Sequence, residues 1–234
     1  MPAPELQKLP SVSELSASAQ DYLKAIWGLT EWRTQPVTPT LVAERTGLKL
    51  STVSDALRRL TSQGLLSHAP YGSVELTETG RSYALAMVRR HRLIESFLVN
   101  TLGYSWDQVH DEAERLEHAV SDFMVEQIDQ LLGHPDRDPH GDPIPASDGT
   151  MTFPQARRLT EAGTGVVMVE RISDADPVLL QFFEAHGIGV GVTLRVEPGA
   201  PFSEALNIRA PEADTAVALG RAATDALYVS AVAP

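Results

Sequence analysis

The sequence of 234 residues contains no cysteine. Disulfides, thiolate zinc sites and cysteine nucleophiles are therefore excluded, which leaves nitrogen and oxygen as the strong metal ligands and methionine sulfur as a weak one. The sequence also lacks an uninterrupted run of about twenty apolar residues, the length that a membrane-spanning helix needs. Because the N-terminus MPAPELQKLPSVSELSASAQ lacks the basic and then apolar pattern of a signal peptide, we expect a cytoplasmic protein with no membrane segment.

Positive charge is scarce, but it is unevenly distributed. The chain has 19 Lys and Arg against 31 Asp and Glu, a net charge of −12, which taken alone argues against nucleic-acid binding. Residues 1–92 nevertheless hold 11 basic and 8 acidic residues, a balance of +3, whereas residues 93–234 hold 8 basic and 23 acidic residues, a balance of −15. This asymmetry is compatible with DNA binding confined to the first part of the chain.

The first segment, residues 11–83, has the pattern of a winged helix-turn-helix. An amphipathic helix is predicted over SASAQDYLKAIWGLTEW, and a short second helix over TPTLVAERTG ends at Gly47. The next helix, STVSDALRRLTSQG, is predicted to be capped by Ser51 and to end at Gly64. Two β-prone runs around Pro70-Tyr71-Gly72 then predict a hairpin. Helix, tight turn, helix and hairpin place the third helix as the one that enters the major groove.

The start of that third helix carries side chains that suit double-stranded DNA. Ordinary helical hairpins share the same spacing, but the hairpin that follows favours a DNA-binding domain. Polar and basic side chains here can reach phosphates and base edges. The candidate contacts to operator DNA are Lys49, Ser51, Thr52, Ser54, Asp55 and Arg58.

The second segment, residues 84–149, is predicted to be helical. One long helix covers ALAMVRRHRLIESFLVNTLG, and a second covers WDQVHDEAERLEHAVSDFMVEQIDQLLG. Their apolar surplus, which includes Phe123, Met124, Ile128, Leu131 and Leu132, predicts packing against a second copy and therefore a homodimer. The run HPDRDPHGDPIPASDG is a predicted loop, whose His134 and His140 are expected to be solvated.

Histidines and glutamates recur at helical intervals in this segment. His110, Glu114, Glu117 and His118 are predicted to project from one face of a helix, and His91 and Glu95 form another i, i+4 pair. Apolar neighbours would draw the polar stripe inward, and buried carboxylates and imidazoles are usually paired or bound to a metal. A solvated acidic helix is the simpler alternative.

The third segment, residues 150–234, changes to short β-rich runs: GVVMVERI, VTLRVE, LNIRA and ALYVSAV. One helix, DPVLLQFFEAHG, interrupts them, and the pattern predicts a small barrel. GIGVG is interpreted as a turn because no GK[ST] follows it. The predicted fold is therefore mainly α with small β parts, in three domains over 1–83, 84–149 and 150–234.

A winged helix followed by HRLIESFL, VHDEAERLEHAVSD and DPHGDPIP resembles the diphtheria toxin repressor family of metal-dependent transcriptional regulators over nearly the whole chain. Within that family the chain is most similar to the manganese-responsive members. The resemblance implies a DNA-binding repressor of metal-uptake genes rather than an enzyme, a helical dimerisation domain, and an SH3-like barrel at the C-terminus. It also implies that the metal is a corepressor that clamps the DNA-binding domain to the dimerisation helices.

The resemblance further implies two metal sites. The primary site would use Asp21, Glu114, Glu117 and His118, and the ancillary site would use His91, Glu95 and His110. Iron-responsive members have Met and Cys at the positions of Asp21 and Glu114, so Mn²⁺ is the expected metal and Fe²⁺ the alternative, while Zn²⁺, Co²⁺ or Cd²⁺ would be able to occupy the sites in vitro. Lys24 stands where some manganese regulators have glutamate. From the barrel, Asp174, Asp176 and Gln181 are nearby candidates for the ancillary site.

Three other functions remain open from the sequence. A metallohydrolase would use the His and Glu cluster, but no HExxH is present and the winged helix would have no role. The protein could instead be a DNA-binding sensor of zinc or iron. It could also be a metal-independent transcriptional regulator whose acidic helix serves only as a dimer face. The effect of metal on operator affinity distinguishes these functions.

Overall fold

The structure is a computed structural model that describes residues 8–32, 35–68, 72–211, 213 and 215–232. The chain divides into two compact units. The first takes its residues from 1–91, 117–126 and 145–151, and the second from 92–116, 127–144 and 152–234. Within the described ranges, no helix has the length and apolarity that crossing a membrane requires.

The first unit contains the expected winged helix-turn-helix order. Its elements are α1 (Ala17–Glu31), α2 (Pro39–Thr46), α3 (Leu50–Ser62), β1 (Leu66–His68), β2 (Val74–Leu76) and the first part of α4 (Glu78–Leu102). The two strands pair antiparallel, with Leu66 opposite Leu76. Of the predicted hairpin turn, Pro70 and Tyr71 lie outside the described residues.

Local chemistry fixes most of these helix ends. The Ser16 hydroxyl accepts from the Ala19 amide at the start of α1, and Thr38 accepts in the same way at the start of α2. Gly47 ends α2 in the left-handed conformation, with φ +67°. The predicted Ser51 cap is wrong, because α3 begins one residue before it and its N-cap is Lys49, which supplies no acceptor.

The three helices and the wing share one apolar core. Leu23 and Ile26 of α1, Val42 of α2 and Leu60 of α3 are all completely buried in it. Each such side chain contributes about 1.5–3 kcal/mol by leaving water. A displacement of α1 would therefore act on α3 through the core that both helices fill.

Helix α4 starts six residues before the predicted Ala84, so the expected boundary after residue 83 falls within it. Thr77 Oγ1 caps its first turn by accepting from the Gly80 amide, at 3.0 Å. A Cβ at Gly80 would lie 1.9 Å from the Leu65 carbonyl oxygen. Glycine at this position therefore allows α4 to pack against the backbone at the start of the wing.

The predicted single helix over residues 106–132 is two helices, α5 (Trp106–Leu116) and α6 (Asp122–Leu131). The expectation that positions 110–118 share one helical face is therefore wrong beyond Leu116. Arg90 stabilises the non-helical turn between α5 and α6, because its guanidinium donates to the carbonyls of Glu117 and Val120. Glu117 and His118 consequently lie in a turn.

The second unit is organised around a six-stranded sheet of order β3-β8-β4-β5-β6-β7. The strands are β3 (Arg157–Arg158), β4 (Gly165–Ile172), β5 (Thr193–Pro198), β6 (Leu206–Arg209), β7 (Val217–Leu219) and β8 (Leu227–Ala231), and the helices α7 (Leu159–Ala162), α8 (Pro177–Ala185) and α9 (Arg221–Ala226) accompany them. Phe183, Leu194 and Ile208 form the centre of its core. The four predicted strands and α8 are confirmed, while the shorter elements β3, β7, α7 and α9 have too few residues to produce a period.

The proline-rich loop differs from the expectation at one histidine. His140 is buried, at 1% exposure, because Asp138 accepts from the backbone amides of His140 and Asp142 and turns the loop inward. The Nε2 of His140 lies 3.3 Å from the Trp106 carbonyl oxygen. His134 is exposed, as expected.

Candidate metal centre

In the first unit, α1 and the turn after α5 bring three of the predicted primary ligands together. His118 Nε2 lies 2.9 Å from Asp21 Oδ1 and 3.6 Å from Glu117 Oε1. One ligand atom from each of the three residues falls within 4.8 Å of the others. Two carboxylates and one imidazole in this arrangement suit a hard divalent cation such as manganese(II), so the side chains fit the expected metal.

Glu117 is the least exposed member of this group, with no solvent-accessible side chain. Lys24 Nζ lies 2.5 Å from its Oε1, and His91 Nδ1 lies 2.6 Å from its Oε2. Burial alone would raise the pKa of Glu117, but the His91 hydrogen bond and the charges of His91 and Lys24 lower that pKa below its usual value. Glu117 is therefore held as a carboxylate, the form that binds metal.

A residue that the sequence did not single out orients His118. Gln20 is 5% exposed, and its Nε2 donates to the carbonyls of Val12 at 2.8 Å and Leu15 at 3.0 Å. Its Oε1 therefore faces His118 Nδ1, at 2.8 Å. An imidazole that donates from Nδ1 presents its Nε2 lone pair to a metal. The sequence feature that could have identified Gln20 is its position on the buried face of α1, directly before the predicted ligand Asp21.

The second unit holds another group, centred on His110 of α5. His110 Nδ1 lies 3.2 Å from Glu95 Oε1 and 3.4 Å from Asp174 Oδ2, and its Nε2 lies 3.8 Å from Glu114 Oε1. Burial and the charge of Glu95 raise the pKa of Asp174, but the charges of His110, His140 and Arg171 together outweigh them, so the pKa is lower than usual. Among the barrel candidates, Asp174 is thus the one beside His110.

The two other barrel candidates have different partners. The Asp176 carboxylate caps α8 by accepting from the amides of Val178 and Leu179, and Gln181 Nε2 donates to Asp107 at 2.6 Å. Within the first unit, His91, which was expected beside the ancillary ligands, has its Nδ1 2.6 Å from Glu117 Oε2 and 3.5 Å from Lys24 Nζ. The assignment of His91 to one site or the other stays a prediction.

The predicted DNA contacts lie at the start of α3. Lys49, Ser51, Thr52, Asp55 and Arg58 are exposed, whereas Ser54 is half-buried and its hydroxyl donates to the Leu50 carbonyl at 2.8 Å. Asp55 and Arg58 form an ion pair with each other on this surface. The exposed side chains are available to DNA, and Ser54 is already engaged by its own helix.

Comparison with known proteins decides the family. Residues 14–74 match the iron dependent repressor N-terminal DNA binding domain, residues 77–146 match the iron dependent repressor metal binding and dimerisation domain, and residues 157–231 match the FeoA domain. The iron-dependent repressor IdeR of Mycobacterium tuberculosis is 37% identical over 171 residues, which cover 68% of this chain and 73% of that protein. The chain belongs to the iron-dependent repressor family, that of the diphtheria toxin repressor.

Two solved structures are similar over most of the chain. A manganese-dependent transcriptional repressor in complex with manganese is 50% identical, with a TM-score of 0.86 over 92% of this chain and 100% of that one. The repressor ScaR with bound Zn²⁺ is 32% identical, with a TM-score of 0.78 over 92% and 99%.

Membership of the iron-dependent repressor family confirms three expectations. The fold combines an N-terminal DNA-binding domain, a helical domain and an SH3-like C-terminal domain, and it is about half helical. The family consists of DNA-binding transcriptional repressors, so the chain is a metal-dependent repressor and not an enzyme. The metallohydrolase alternative is thereby removed.

Proposed function

We propose that this repressor responds to manganese and controls manganese-uptake genes, with Mn²⁺ as its corepressor. One observation carries the proposal: Asp21, Glu117 and His118 place two hard carboxylates and one imidazole around a common point in the first unit. Manganese(II) favours oxygen ligands and stands at the weak end of the divalent affinity order, so its binding depends on such ligands. The similarity to a manganese-dependent repressor supports this choice of metal.

The same atoms suggest how metal would act on DNA binding. Asp21 belongs to α1, while Glu117 and His118 belong to the turn that connects α5 with α6. An ion bound to all three would tie α1 to that turn. Because α1 shares its core with the recognition helix α3, the tie would restrict α3 as well. Metal then favours the DNA-binding conformation through differential affinity for two conformations.

Glu114 and the ancillary ligands complete the proposed centre. Following the resemblance, Glu114 is the fourth primary ligand, while Glu95 and His110 bind a second ion with His91. The proximity of Asp174 to His110 adds a barrel carboxylate to the ancillary group. We expect this second ion to tune the response, because none of its ligands belongs to α1.

A homodimer would present two recognition helices to one operator. Phe123, Met124 and Leu131 of α6 are 74%, 46% and 65% exposed, an apolar surface that a second copy would cover. Operators of helix-turn-helix dimers have half-sites about one helical turn, roughly 34–36 Å, apart or at multiples of it. The three proposed domains, 1–83, 84–149 and 150–234, separate DNA binding, dimerisation with metal binding, and the barrel.

Iron is the second candidate metal. The 37% identity to an iron-dependent repressor favours it, whereas the carboxylate of Asp21 in place of a softer sulfur ligand favours manganese. Zn²⁺, Co²⁺ and Cd²⁺ are proposed only as occupants in vitro. An ion with a tetrahedral preference, such as zinc, would hold α1 and the turn after α5 in a different relative geometry.

The decisive test is operator binding with each metal. Duplexes would be selected from a random library by the purified protein with MnCl₂, and their affinity measured by fluorescence anisotropy in EDTA, MnCl₂, anaerobic FeCl₂ and ZnCl₂. We expect tight binding with manganese and only salt-sensitive, sequence-independent binding in EDTA. Equal affinity in EDTA and MnCl₂ would refute metal dependence, and activation by iron alone would refute the choice of manganese.

A further inference from the structure

Lys24 contacts the predicted metal ligands without being one of them. It follows Asp21 by three residues on α1, so both side chains emerge on the same side of the helix. Its ammonium lies 2.5 Å from Glu117 Oε1 and 3.5 Å from His91 Nδ1, and only 16% of the side chain is exposed. The contact between Lys24 and Glu117 is therefore a buried ion pair and not a surface one.

We propose that Lys24 is a resident cation that competes with the metal ion for Glu117 and thereby sets the metal concentration at which the repressor responds. The inference rests on the proposed function in one respect only, the assignment of Glu117 as a metal ligand.

The first step concerns which oxygen Lys24 occupies. Glu117 Oε1 is 3.6 Å from His118 Nε2, so it is the oxygen that an ion held by Asp21 and His118 would meet. The Lys24 ammonium lies on that same oxygen. The other oxygen, Oε2, is 2.6 Å from His91 Nδ1. Both oxygens of the carboxylate therefore already have partners, and an incoming ion has to displace Lys24 or share Oε1 with it.

The second step concerns charge. An ammonium and a divalent cation on one oxygen repel each other, and the repulsion is larger in this buried environment than in water. Metal binding must overcome that repulsion, so the affinity is lower than Asp21, Glu117 and His118 alone would give. In the metal-free protein the same ammonium stabilises the fully buried Glu117 carboxylate.

Competition therefore predicts opposite effects on two measurable quantities. Replacing Lys24 by an uncharged side chain should lower the stability of the metal-free protein, because a buried carboxylate loses its cation. The same replacement should raise the affinity for manganese, because the competitor is gone. A lysine that only supported the fold would instead lower both quantities together.

The test uses the full-length protein with Lys24→Met and Lys24→Gln, the second of which keeps a neutral hydrogen-bond donor in case the first folds poorly. Manganese affinity is measured by isothermal titration with MnCl₂, and thermal midpoints are measured in EDTA. We expect both variants to melt at lower temperature in EDTA and to bind manganese about tenfold more tightly.

Two controls accompany these variants. Lys24→Arg keeps the charge and should remain close to the parent in both measurements. Lys8→Met removes a lysine whose ion pair with Glu126, at 3.1 Å, is largely exposed, and it should change neither quantity. Together they distinguish the loss of a positive charge at Glu117 from the loss of any lysine.

Manganese affinity that is unchanged or weaker in both Lys24→Met and Lys24→Gln would overturn the proposal. A different result would contradict the proposed function: the parent protein would bind operator DNA with the same affinity in EDTA and in MnCl₂. In that event the titrations with MnCl₂ would still decide whether Lys24 competes with the ion.

Discussion

Gln20→Leu is expected to weaken manganese binding without touching a metal ligand. In the parent, Gln20 Oε1 lies 2.8 Å from His118 Nδ1 and orients the imidazole so that Nε2 points at Asp21. Leucine has a similar size but offers no acceptor, so the imidazole loses the partner that fixes its rotation and tautomer. Loss of such an outer partner typically costs about 10–100-fold in metal affinity, which corresponds to roughly 1.4–2.8 kcal/mol.

The same substitution has a cost in stability that can be separated from the metal effect. The Gln20 amide nitrogen donates to the carbonyls of Val12 and Leu15. Two lost hydrogen bonds amount to about 1–3 kcal/mol. Gln20→Glu removes both donors but keeps an acceptor for His118 Nδ1. We therefore expect the glutamate variant to be destabilised like the leucine variant and yet to retain most of its manganese affinity.

Titration with MnCl₂ and urea unfolding in EDTA, applied to both variants, provide the assay. Gln181→Leu is the matched control, because it removes a glutamine hydrogen bond of 2.6 Å to Asp107 in the other unit. If Gln20→Leu bound manganese as tightly as the parent, the idea that Gln20 orients His118 for metal would be refuted. Equal losses in the leucine and glutamate variants would also contradict it.

Three further predictions concern DNA, metal choice and pH. Ser51→Ala should weaken operator binding about two- to tenfold in anisotropy assays, the effect of one hydrogen bond, while the titrated manganese affinity stays unchanged. Asp21→Met combined with Glu114→Cys should lose the manganese response and gain one to iron(II) or cobalt(II) under anaerobic conditions, because the site becomes softer; a retained manganese response would count against both assignments. Burial raises the pKa of Glu170, but hydrogen bonds from Ser230 and Arg137 and the charge of Arg137 outweigh it, so the folded pKa is below 4.5. Its stabilisation of about 1–3 kcal/mol should therefore be present above pH 4.5 and disappear as the pH falls through the folded value, so urea unfolding of Glu170→Gln should differ from the parent at pH 7 and converge with it in acid.

The sequence was sufficient for those parts of the fold that local chemistry determines. Ser16, Thr38 and Gly47 cap or end helices by contacts within a few residues, and these helices appear where they were predicted. The turn between α5 and α6 is bound instead by Arg90, which lies 27 residues before Glu117 and donates to its carbonyl. No helical period near residue 117 reveals that contact. His140 was mispredicted for a related reason, since a Pro- and Gly-rich composition does not show that a loop turns inward.

The candidate site divides in the same way. Ligand types at helical spacing and the family resemblance were enough to nominate Asp21, Glu117 and His118, and the structure brings these three together. The partners of those ligands were not predictable. Gln20 and Lys24 act through contacts to residues more than ninety positions away, and their places beside Asp21 on α1 do not reveal which residues those partners are.

The close approach at Gly80 packs the first turn of α4 directly against the backbone at the start of the wing. An α-helix rises about 1.5 Å per residue, so His91 lies roughly 16 Å along the same rod from the point where α4 meets the Leu65 carbonyl. A side chain at position 80 would push α4 away from the wing, even if every metal ligand were unchanged. A biosensor built from this repressor should therefore keep glycine at position 80. Its reporter groups should be attached to surfaces away from the contact between α4 and the wing.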